Sequence, residues 1–332
     1  MTEQTYQALV VRVKGDAVSR RVETCAVADL PPGDVLIRVR YSSLNYKDAL
    51  SANGNRGVTR RYPHTPGVDA VGEVVESSHP DVPPGAAVVV GGYDLGMNTA
   101  GGFGQYIRVP AGWVAPMPPG FDAFTVAALG TAGFTAAFCL HRLETAGLTP
   151  AAGDVLVTGA TGGVGSMAVA LLFKLGYRVV AATGKLNQAP LLHELGAAEV
   201  LDRAQVAGDP DKALLKQQWA GVIDAVGGPI LAGAIKATRA GGLVAACGNA
   251  AAPDLPLTVY PFILRGVSLL GVDAANSDLA VRQGIWRKLA GPWRIDRLDR
   301  LTTVTDLHGL DAYIDCMLAG QLTGRVVVDL WR

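Results

Sequence analysis

Short runs of apolar residues dominate the first third of the chain. Many of these residues are β-branched, and turn-forming stretches such as Pro31-Pro32-Gly33 and Pro83-Pro84-Gly85 separate the runs. Short β-branched runs between turn residues are typical of strands. The pattern therefore predicts an all-β region with strands at 8–13, 34–41, 68–75, 86–90 and 106–109.

The pattern changes near residue 121, where strands begin to alternate with longer helical segments. Helices are predicted at 123–140 and 163–175. Alternation of strand and helix indicates a doubly wound parallel sheet, with about six strands in a whole dinucleotide fold. The predicted strands are 155–158, 178–182, 199–201, 222–224, 243–247 and 267–270.

The last strand, predicted at 324–329, follows after the parallel pattern has ended. A chain of 332 residues is also longer than one hydrophobic core usually supports, which favours two domains. We therefore predict a discontinuous β domain, residues 1–126 and 297–332, with an α/β domain of residues 127–296 between its two parts.

Charge and composition limit the possible partners. The chain has 29 Lys and Arg residues and 29 Asp and Glu residues, so no excess charge attracts nucleic acid or an anionic membrane. The N-terminal residues lack the basic start and apolar core of a signal peptide. A cytoplasmic protein without nucleic-acid or membrane partners is expected.

The four cysteines lie far apart in sequence, without CxxC or CxxH spacing. This spacing predicts reduced thiols and no metal site, although folding could still gather distant ligands. None of the five histidines lies in an obvious constellation with cysteine or acid, so none is assigned a role.

A glycine-rich segment, GATGGVG at 159–165, follows the strand at 155–158 and precedes the apolar helix at 163–175. Glycines in this context allow a pyrophosphate to approach backbone N–H groups at a helix N-terminus. The segment predicts binding of a dinucleotide cofactor.

The next predicted strand leads to Thr183-Gly184-Lys185, where an NAD enzyme normally has an acid for the ribose 2′-hydroxyl. No acid occurs between Asp154 and Glu194. Thr183, Lys185 and Arg203, which follows the next strand, could instead surround a 2′-phosphate, so NADPH is the predicted cofactor. The alternative is that both cations are solvated surface charges.

Further motifs carry a family resemblance: SLNYKDA at 43–49, PGVD at 66–69 and LGTAGFTA at 129–136. With the glycine-rich segment they resemble the zinc-free medium-chain dehydrogenase/reductase superfamily, and within it the YhdH/AcuI group of acrylyl-CoA reductases. The resemblance implies a GroES-like β domain, a Rossmann domain, NADPH as hydride donor and a homodimer.

The resemblance also implies roles for individual residues. Asn45 and Tyr46 would lie beside the nicotinamide, with both as candidate catalytic residues and Asn45 also binding the cofactor. The other cofactor-binding residues would be Thr161, Gly162, Gly163, Val164, Thr183, Gly184, Lys185, Arg203, Gly248 and Val272. Relatives often have Arg at position 185, and the lysine here, which lacks the planar fork of arginine, could weaken the selectivity for NADPH. Relatives also commonly carry a Trp in the opening turn of the loop at 91–102, and this difference leaves the exact acyl substrate open.

Reduction of an α,β-unsaturated thioester requires hydride at the β carbon and a proton at the α carbon. Tyr46 is the candidate proton donor, with water as the alternative, and a packing role for its ring remains open. Asn45 could anchor the cofactor or simply shape a turn. Asp69 could orient groups at the site or bond its own backbone, and it is left out of the catalytic set.

The predicted function is therefore NADPH-dependent reduction of the C=C bond of a small α,β-unsaturated acyl-CoA. Arg56, Arg60 and Arg61 form a cluster that could meet the phosphates of CoA, or could be an ordinary solvated face. The alternatives are a quinone or general enal reductase on the same scaffold, and a non-catalytic protein that senses NADPH.

Overall fold

The computed structural model describes residues 4–296 and 298–332. The chain forms two compact units. The β unit contains the residues up to Thr131, Ala275–Ala290 and Leu298–Arg332, and the α/β unit contains Ala132–Ala274 and the residues from Gly291 to Asp296.

Fifteen strands and ten α-helices occur in the described part of the chain. The strands are β1 Thr5–Lys14, β2 Ala17–Ala26, β3 Val35–Ser43, β4 Asp69–Ser77, β5 Ala87–Gly91, β6 Tyr106–Val109, β7 Ala115–Pro116, β8 Val155–Thr158, β9 Val179–Thr183, β10 Ala197–Asp202, β11 Trp219–Asp224, β12 Thr238–Ala246, β13 Ser268–Gly271, β14 Thr302–Thr305 and β15 Arg325–Asp329. The helices are α1 Tyr46–Ala52, α2 Ala123–Thr145, α3 Gly163–Lys174, α4 Ala189–Glu194, α5 Arg203–Ala207, α6 Gly228–Ala237, α7 Tyr260–Arg265, α8 Leu279–Ala290, α9 Leu298–Leu301 and α10 Leu310–Leu318.

The main sheet of the β unit has the strand order β14-β15-β3-β4-β5-β7, and β6 also pairs with β3. Alternation along β3 shows why it forms: Ile37 and Val39 are buried in the core, whereas Arg38 and Arg40 between and beyond them are exposed. The C-terminal strand β15 pairs antiparallel with β3, so the end of the chain lies in the sheet of the β unit.

The sheet of the α/β unit has the order β10-β9-β8-β11-β12-β13, and all of its strand pairs are parallel. This is the order 3-2-1-4-5-6 of a doubly wound dinucleotide fold, with the reversal of direction between β8 and β11. Central strands such as β8 are buried on both faces, as their continuous apolar sequence predicts. The predicted fold class is confirmed.

Three details differ from the sequence-based expectations. Strand β2 was not predicted, because its residues, all of them exposed or only partly buried, mix polar and apolar types without a clear period. Helix α2 extends to Thr145 and is interrupted at Gly130, whose φ is 47°. Residues Ala275–Ala290 group with the β unit, whereas the predicted boundaries place them in the α/β domain.

Contacts around Tyr93 explain why the segment Ala275–Ala290 groups with the β unit. The Tyr93 N–H donates to the Ala275 carbonyl at 2.8 Å, and the guanidinium of Arg282 lies 4.4 Å from the centre of the Tyr93 ring. These contacts join the segment to the loop after β5. Sequence periodicity carries no signal for such long-range contacts.

Helix α2 is long and apolar enough to cross a membrane by length and composition alone. Within the structure, 72% of its most apolar 18-residue window is buried. Burial of this extent is typical of a core helix. Along the chain, α2 begins in the β unit and ends in the α/β unit.

Candidate active site and cofactor site

The glycine-rich segment forms a tight turn between β8 and α3. Gly159 has a φ of 59°, a left-handed conformation that favours glycine. A Cβ atom on Gly165 would lie 2.2 Å from the carbonyl oxygen of Gly159. The close approach of turn and helix therefore depends on hydrogen in place of a side chain at position 165.

The start of α3 has the form of an anion-binding site. Its N-cap is Gly162, so no side chain accepts from the first turn of this twelve-residue helix. Gly162, Gly163 and Val164 are only partly buried. N–H groups at the positive end of a helix dipole, without a side-chain cap, fit the pyrophosphate of a dinucleotide.

Two buried hydroxyl groups tie this turn to the end of the next strand. The Oγ1 atoms of Thr161 and Thr183 are 2.9 Å apart, and Thr183 Oγ1 also accepts from the Lys185 N–H at 3.0 Å. Both threonines are nearly inaccessible. Their hydroxyl groups therefore brace the turn against the end of β9.

Arg203 lies across Gly184. A Cβ atom on Gly184 would be 2.9 Å from Arg203 Nε, so glycine makes room for the guanidinium there. Arg203 is the first residue of α5, and Asp202 caps that helix by accepting from the Ala204 N–H at 2.7 Å. The structure thus places Arg203 against Gly184, next to Lys185 in sequence, at the ends of β9 and β10.

Gly248 and Val272 follow neighbouring strands at the same edge of the sheet. The Val272 N–H donates to the Ala246 carbonyl at 3.0 Å, which joins the ends of β12 and β13. A Cβ atom on Gly248 would lie 2.5 Å from the Ala225 carbonyl oxygen. Gly248 is exposed and Val272 is buried, so Gly248 is the more accessible of the two.

Asp224, at the end of β11, was not identified from the sequence. Its carboxylate accepts from Thr158 Oγ1 at 2.6 Å and from the Gly227 N–H at 2.8 Å. Burial raises the pKa of Asp224 above its usual value, although these hydrogen bonds act in the opposite direction. Asp224 links β8 to the turn after β11 at the point where the strand order reverses.

In the β unit, Asn45 is the N-cap of α1, and its side-chain amide is fully engaged. Nδ2 donates to the Ser43 carbonyl at 3.1 Å and to Asp69 Oδ2 at 2.7 Å, which uses both of its hydrogens. Oδ1 accepts from Arg325 Nη1 at 3.0 Å. The amide of Asn45 is therefore a structural link within the β unit, and a contact with a ligand would have to use the remaining lone pair of Oδ1.

Tyr46 has a different environment from its neighbour. It is the first residue of α1, 40% of its surface is exposed, and its hydroxyl makes no hydrogen bond within residues 4–296 and 298–332. An accessible phenol on a braced helix start can donate a hydrogen bond or a proton to a bound molecule.

Asp69 is the centre of a buried polar network that the sequence did not reveal. Its carboxylate accepts from Ser43 Oγ at 2.7 Å, from Asn45 Nδ2, and from both the N–H and the Oγ1 of Thr131 at 3.0 and 2.7 Å. Arg325 Nη2 lies 3.8 Å from Asp69 Oδ2, with side-chain exposures of 2% and 4%. Asp69 therefore links β3, the start of α1, α2 and β15.

Arg325, the first residue of β15, supplies the positive charge that opposes the negative charge of Asp69. Its guanidinium donates to the carbonyls of Ala128 and Leu44, to Asn45 Oδ1 and to Ser43 Oγ, at 2.7 to 3.1 Å. A Cβ atom on Gly130 would lie only 2.6 to 2.8 Å from the side chains of Asp69, Ser43 and Arg325. The interruption of α2 at Gly130 thus makes room for the network.

Asp48 is a second buried carboxylate, next to Asp69. It accepts from the Asn45 N–H and the Val68 N–H, both at 2.8 Å, and so fastens α1 to the turn before β4. Burial, and to a smaller extent the charge of Asp69, raises the pKa of Asp48 to about 7. We call Ser43, Asn45, Asp48, Asp69, Thr131 and Arg325 the Asp69 network.

Two family models match this chain. Residues 163–290 match the family model described as zinc-binding dehydrogenase, and residues 31–119 match the alcohol dehydrogenase GroES-like domain. The "Putative quinone oxidoreductase YhfP" of Bacillus subtilis is 43% identical over 329 residues, which cover 98% of this chain and 99% of the relative. The chain belongs to the medium-chain dehydrogenase/reductase family.

Two further members of this family are similar over nearly their whole length. Acrylyl-CoA reductase AcuI of Ruegeria pomeroyi is 44% identical over 330 residues, covering 98% of this chain and 99% of the relative. The YhdH oxidoreductase of Salmonella enterica, solved in complex with NADP, has a TM-score of 0.95 and 40% identity, covering 98% of this chain and 99% of that one. The YhfP structure carries NAD, also with a TM-score of 0.95, 43% identity and coverage of 98% and 100%.

The resemblance to the YhdH/AcuI group is thereby confirmed, and the protein is an oxidoreductase of the medium-chain dehydrogenase/reductase family. In the described part of the chain, no group of three or more His, Cys, Asp or Glu side chains could hold a metal ion.

Proposed function

We propose that this oxidoreductase uses NADPH to reduce the C=C bond of a small α,β-unsaturated acyl-CoA, such as acrylyl-CoA. The observation that supports the cofactor best is the uncapped N-terminus of α3, followed after β9 by cations instead of an acid. The acyl-CoA substrate is suggested by the 44% identity to an acrylyl-CoA reductase.

The residues of the α/β unit have distinct tasks in this proposal. Thr161 to Val164 present N–H groups to the pyrophosphate, while Lys185 and Arg203 meet the 2′-phosphate. Gly248 and Val272 contribute to the remaining cofactor surface at the ends of β12 and β13. The hydride for the β carbon comes from the nicotinamide of NADPH.

Tyr46 would act on the substrate from the β unit. Its accessible hydroxyl donates a hydrogen bond to the thioester oxygen as negative charge develops there, or relays the proton to the α carbon. Asn45 acts through its cap of α1, because its amide is held by Asp69 and Arg325. The Asp69 network thus holds the helix start that presents Tyr46.

NADPH is preferred to NADH on the basis of charge. Each charge-assisted hydrogen bond to a 2′-phosphate is worth about 1.5–3 kcal/mol, or about tenfold or more in affinity. A lysine at position 185 lacks the planar fork of arginine, and YhfP was solved with NAD. We therefore expect a preference for NADPH with measurable use of NADH.

A quinone is the second candidate substrate, because the relative YhfP carries the name of a quinone oxidoreductase. Steady-state rates of NADPH oxidation with acrylyl-CoA, with an enal and with a quinone distinguish the candidates. Our proposal predicts the highest kcat/KM for acrylyl-CoA. A higher kcat/KM for the quinone, with no turnover of acrylyl-CoA, would refute it.

A further inference from the structure

Three arginines lie close together on the loop that follows α1. Arg56, Arg60 and Arg61 lie within the six positions 56–61, and all three residues are exposed. We call them the arginine cluster. They belong to the same unit as Tyr46, and the seven residues of α1 between Tyr46 and this loop span about 10 Å.

The loop that carries the cluster is well ordered by its own contacts. The guanidinium of Arg56 lies over the ring of Tyr62, 5.0 Å from its centre, and Nη1 donates to the Arg60 carbonyl at 2.7 Å. The Tyr62 hydroxyl donates to the Ser51 carbonyl at the end of α1. Arg56 is therefore held in place beside Arg60, which lowers the entropy lost when it binds a ligand.

The loop is also tied to the loop after β5. The Arg60 N–H donates to Asn98 Oδ1 at 3.1 Å, and Asn98 Nδ2 in turn donates to Asp94. Asp94 also accepts from Thr99 Oγ1 at 3.2 Å. The nearby acid is thus engaged by neutral groups of its own loop.

The charge of the cluster has no counterpart among the described residues. None of the three guanidinium groups has an ion pair there, and the side chains of Arg60 and Arg61 make no hydrogen bond. Two other exposed arginines of the β unit do form ion pairs, Arg12 with Glu23 and Arg38 with Glu73. Three positive charges without ion pairs on a well-ordered loop would attract a polyanionic ligand.

The proposed cofactor does not supply that anion. Its pyrophosphate and 2′-phosphate are met by groups of the α/β unit, at the start of α3 and at Lys185 and Arg203. A quinone carries no charge, whereas CoA carries a 3′-phosphate and a diphosphate at the end of a long flexible arm. We propose that the arginine cluster binds the nucleotide phosphates of the CoA moiety of the substrate; this inference rests on the proposed function.

The decisive experiment compares two thioesters. Acrylyl-CoA and S-acrylyl-pantetheine share the reacting group and most of the arm, and only the former carries the nucleotide phosphates. The variant Arg60→Gln/Arg61→Gln should raise KM for acrylyl-CoA about tenfold, with kcat and the KM for acrylyl-pantetheine unchanged. Because neither exposed side chain makes a hydrogen bond or an ion pair among the described residues, the variant should fold normally.

Two further variants serve as controls. Arg60→Lys/Arg61→Lys retains the charge and should restore most of the affinity, while Lys216→Gln removes an exposed cation of the α/β unit and should change neither KM. An unchanged KM for acrylyl-CoA in the Gln variant, or an equal rise for both thioesters, would overturn the inference while leaving the proposed function intact.

Direct binding separates failure of the inference from failure of the proposed function. Titration calorimetry of CoA into the NADP-saturated protein should give a Kd that rises about tenfold in the Gln variant and increases with salt. If wild type does not turn over acrylyl-CoA, the proposed function fails, and this titration still decides the inference. Absence of CoA binding to wild type, or an unchanged Kd in the variant, would overturn it.

Discussion

The glycine turn of the α/β unit and the Asp69 network of the β unit are built from different parts of the chain. In the turn, backbone N–H groups at the start of α3 and two close approaches permitted by glycine form the site. In the network, side chains from β3, α1, β4, α2 and β15 satisfy one another in the core. The first site is contiguous in sequence, whereas the second gathers residues up to 282 positions apart.

This difference predicts how each region should respond to mutation. A buried set of charges is destabilised strongly when one member is removed, because its partners remain buried without compensation. A site built from backbone groups loses affinity for its ligand when a new side chain overlaps with the backbone or when a nearby charge is removed. The free energy of unfolding changes less in such variants. Variants of the two regions should therefore differ mainly in stability or mainly in cofactor binding.

The largest expected effect follows from removal of the central carboxylate. Asp69→Ala leaves Ser43, Asn45 and Thr131 without their shared acceptor and Arg325 without its ion pair, and should lower the free energy of unfolding by about 3–5 kcal/mol. Urea denaturation measures this change. Glu73→Ala on the same strand is the control, because its ion pair with Arg38 is half exposed and should cost less than about 1 kcal/mol. Equal losses in the two variants would contradict the buried charge network.

Asp48 makes the stability of the network depend on pH. Its pKa of about 7 in the folded protein exceeds that of an unfolded aspartate, so the folded state holds the proton more tightly. This contribution is present in full below about pH 4 and is lost as the pH rises to about 7, at up to about 1.4 kcal/mol per pH unit.

The variant Asp48→Asn isolates that contribution. The difference in unfolding free energy between wild type and variant should change across pH 4–7 and become constant above it, as chemical denaturation at a series of pH values would show. A difference that is constant throughout this range would mean that Asp48 has an ordinary pKa.

In the proposed function, Tyr46 is the residue through which the Asp69 network affects catalysis. Tyr46→Phe removes the only hydroxyl of this side chain and should lower kcat about a hundredfold, with the Kd of NADPH nearly unchanged. Tyr260→Phe is a matched control, since Tyr260 is similarly exposed but lies in α7 of the α/β unit. An unchanged kcat in Tyr46→Phe would remove this residue from the mechanism.

The glycine turn should respond through cofactor binding. In Gly165→Ala the new methyl group meets the Gly159 carbonyl, so NADPH and NADH should both bind at least about tenfold more weakly, with a stability loss of about 1–3 kcal/mol. Gly284→Ala in α8 has open space around the new atom and should have no such effect. Fluorescence titration with each cofactor measures the change, and tight binding in Gly165→Ala would argue against this site.

The smallest expected effect concerns the choice between cofactors. Lys185→Ala should weaken NADPH about tenfold and leave NADH unchanged, because only NADPH carries the 2′-phosphate. Lys216→Gln is the control for a general loss of positive charge. If both cofactors weaken equally in Lys185→Ala, the 2′-phosphate must be held elsewhere.

The same contrast explains what could be predicted from the sequence. The strand, glycine turn and helix at 155–175 are one continuous segment whose residue types report its local geometry, so this region could be predicted in detail. The role of Asp69 could not, because its partners Thr131 and Arg325 are distant in sequence and neither has a distinctive pattern. For Asn45, only the structure showed that both amide hydrogens are used internally.

We propose that hydride passes from NADPH to the β carbon of an unsaturated acyl-CoA. The most direct test uses NADPH carrying deuterium at C4, with each face labelled in turn, and acrylyl-CoA as the substrate. We expect one of the two labelled cofactors to give propanoyl-CoA with one deuterium at C3, and the other to give unlabelled propanoyl-CoA. Mass spectrometry and NMR would detect the label. Oxidation of NADPH without labelled propanoyl-CoA, or no oxidation with acrylyl-CoA at all, would contradict it.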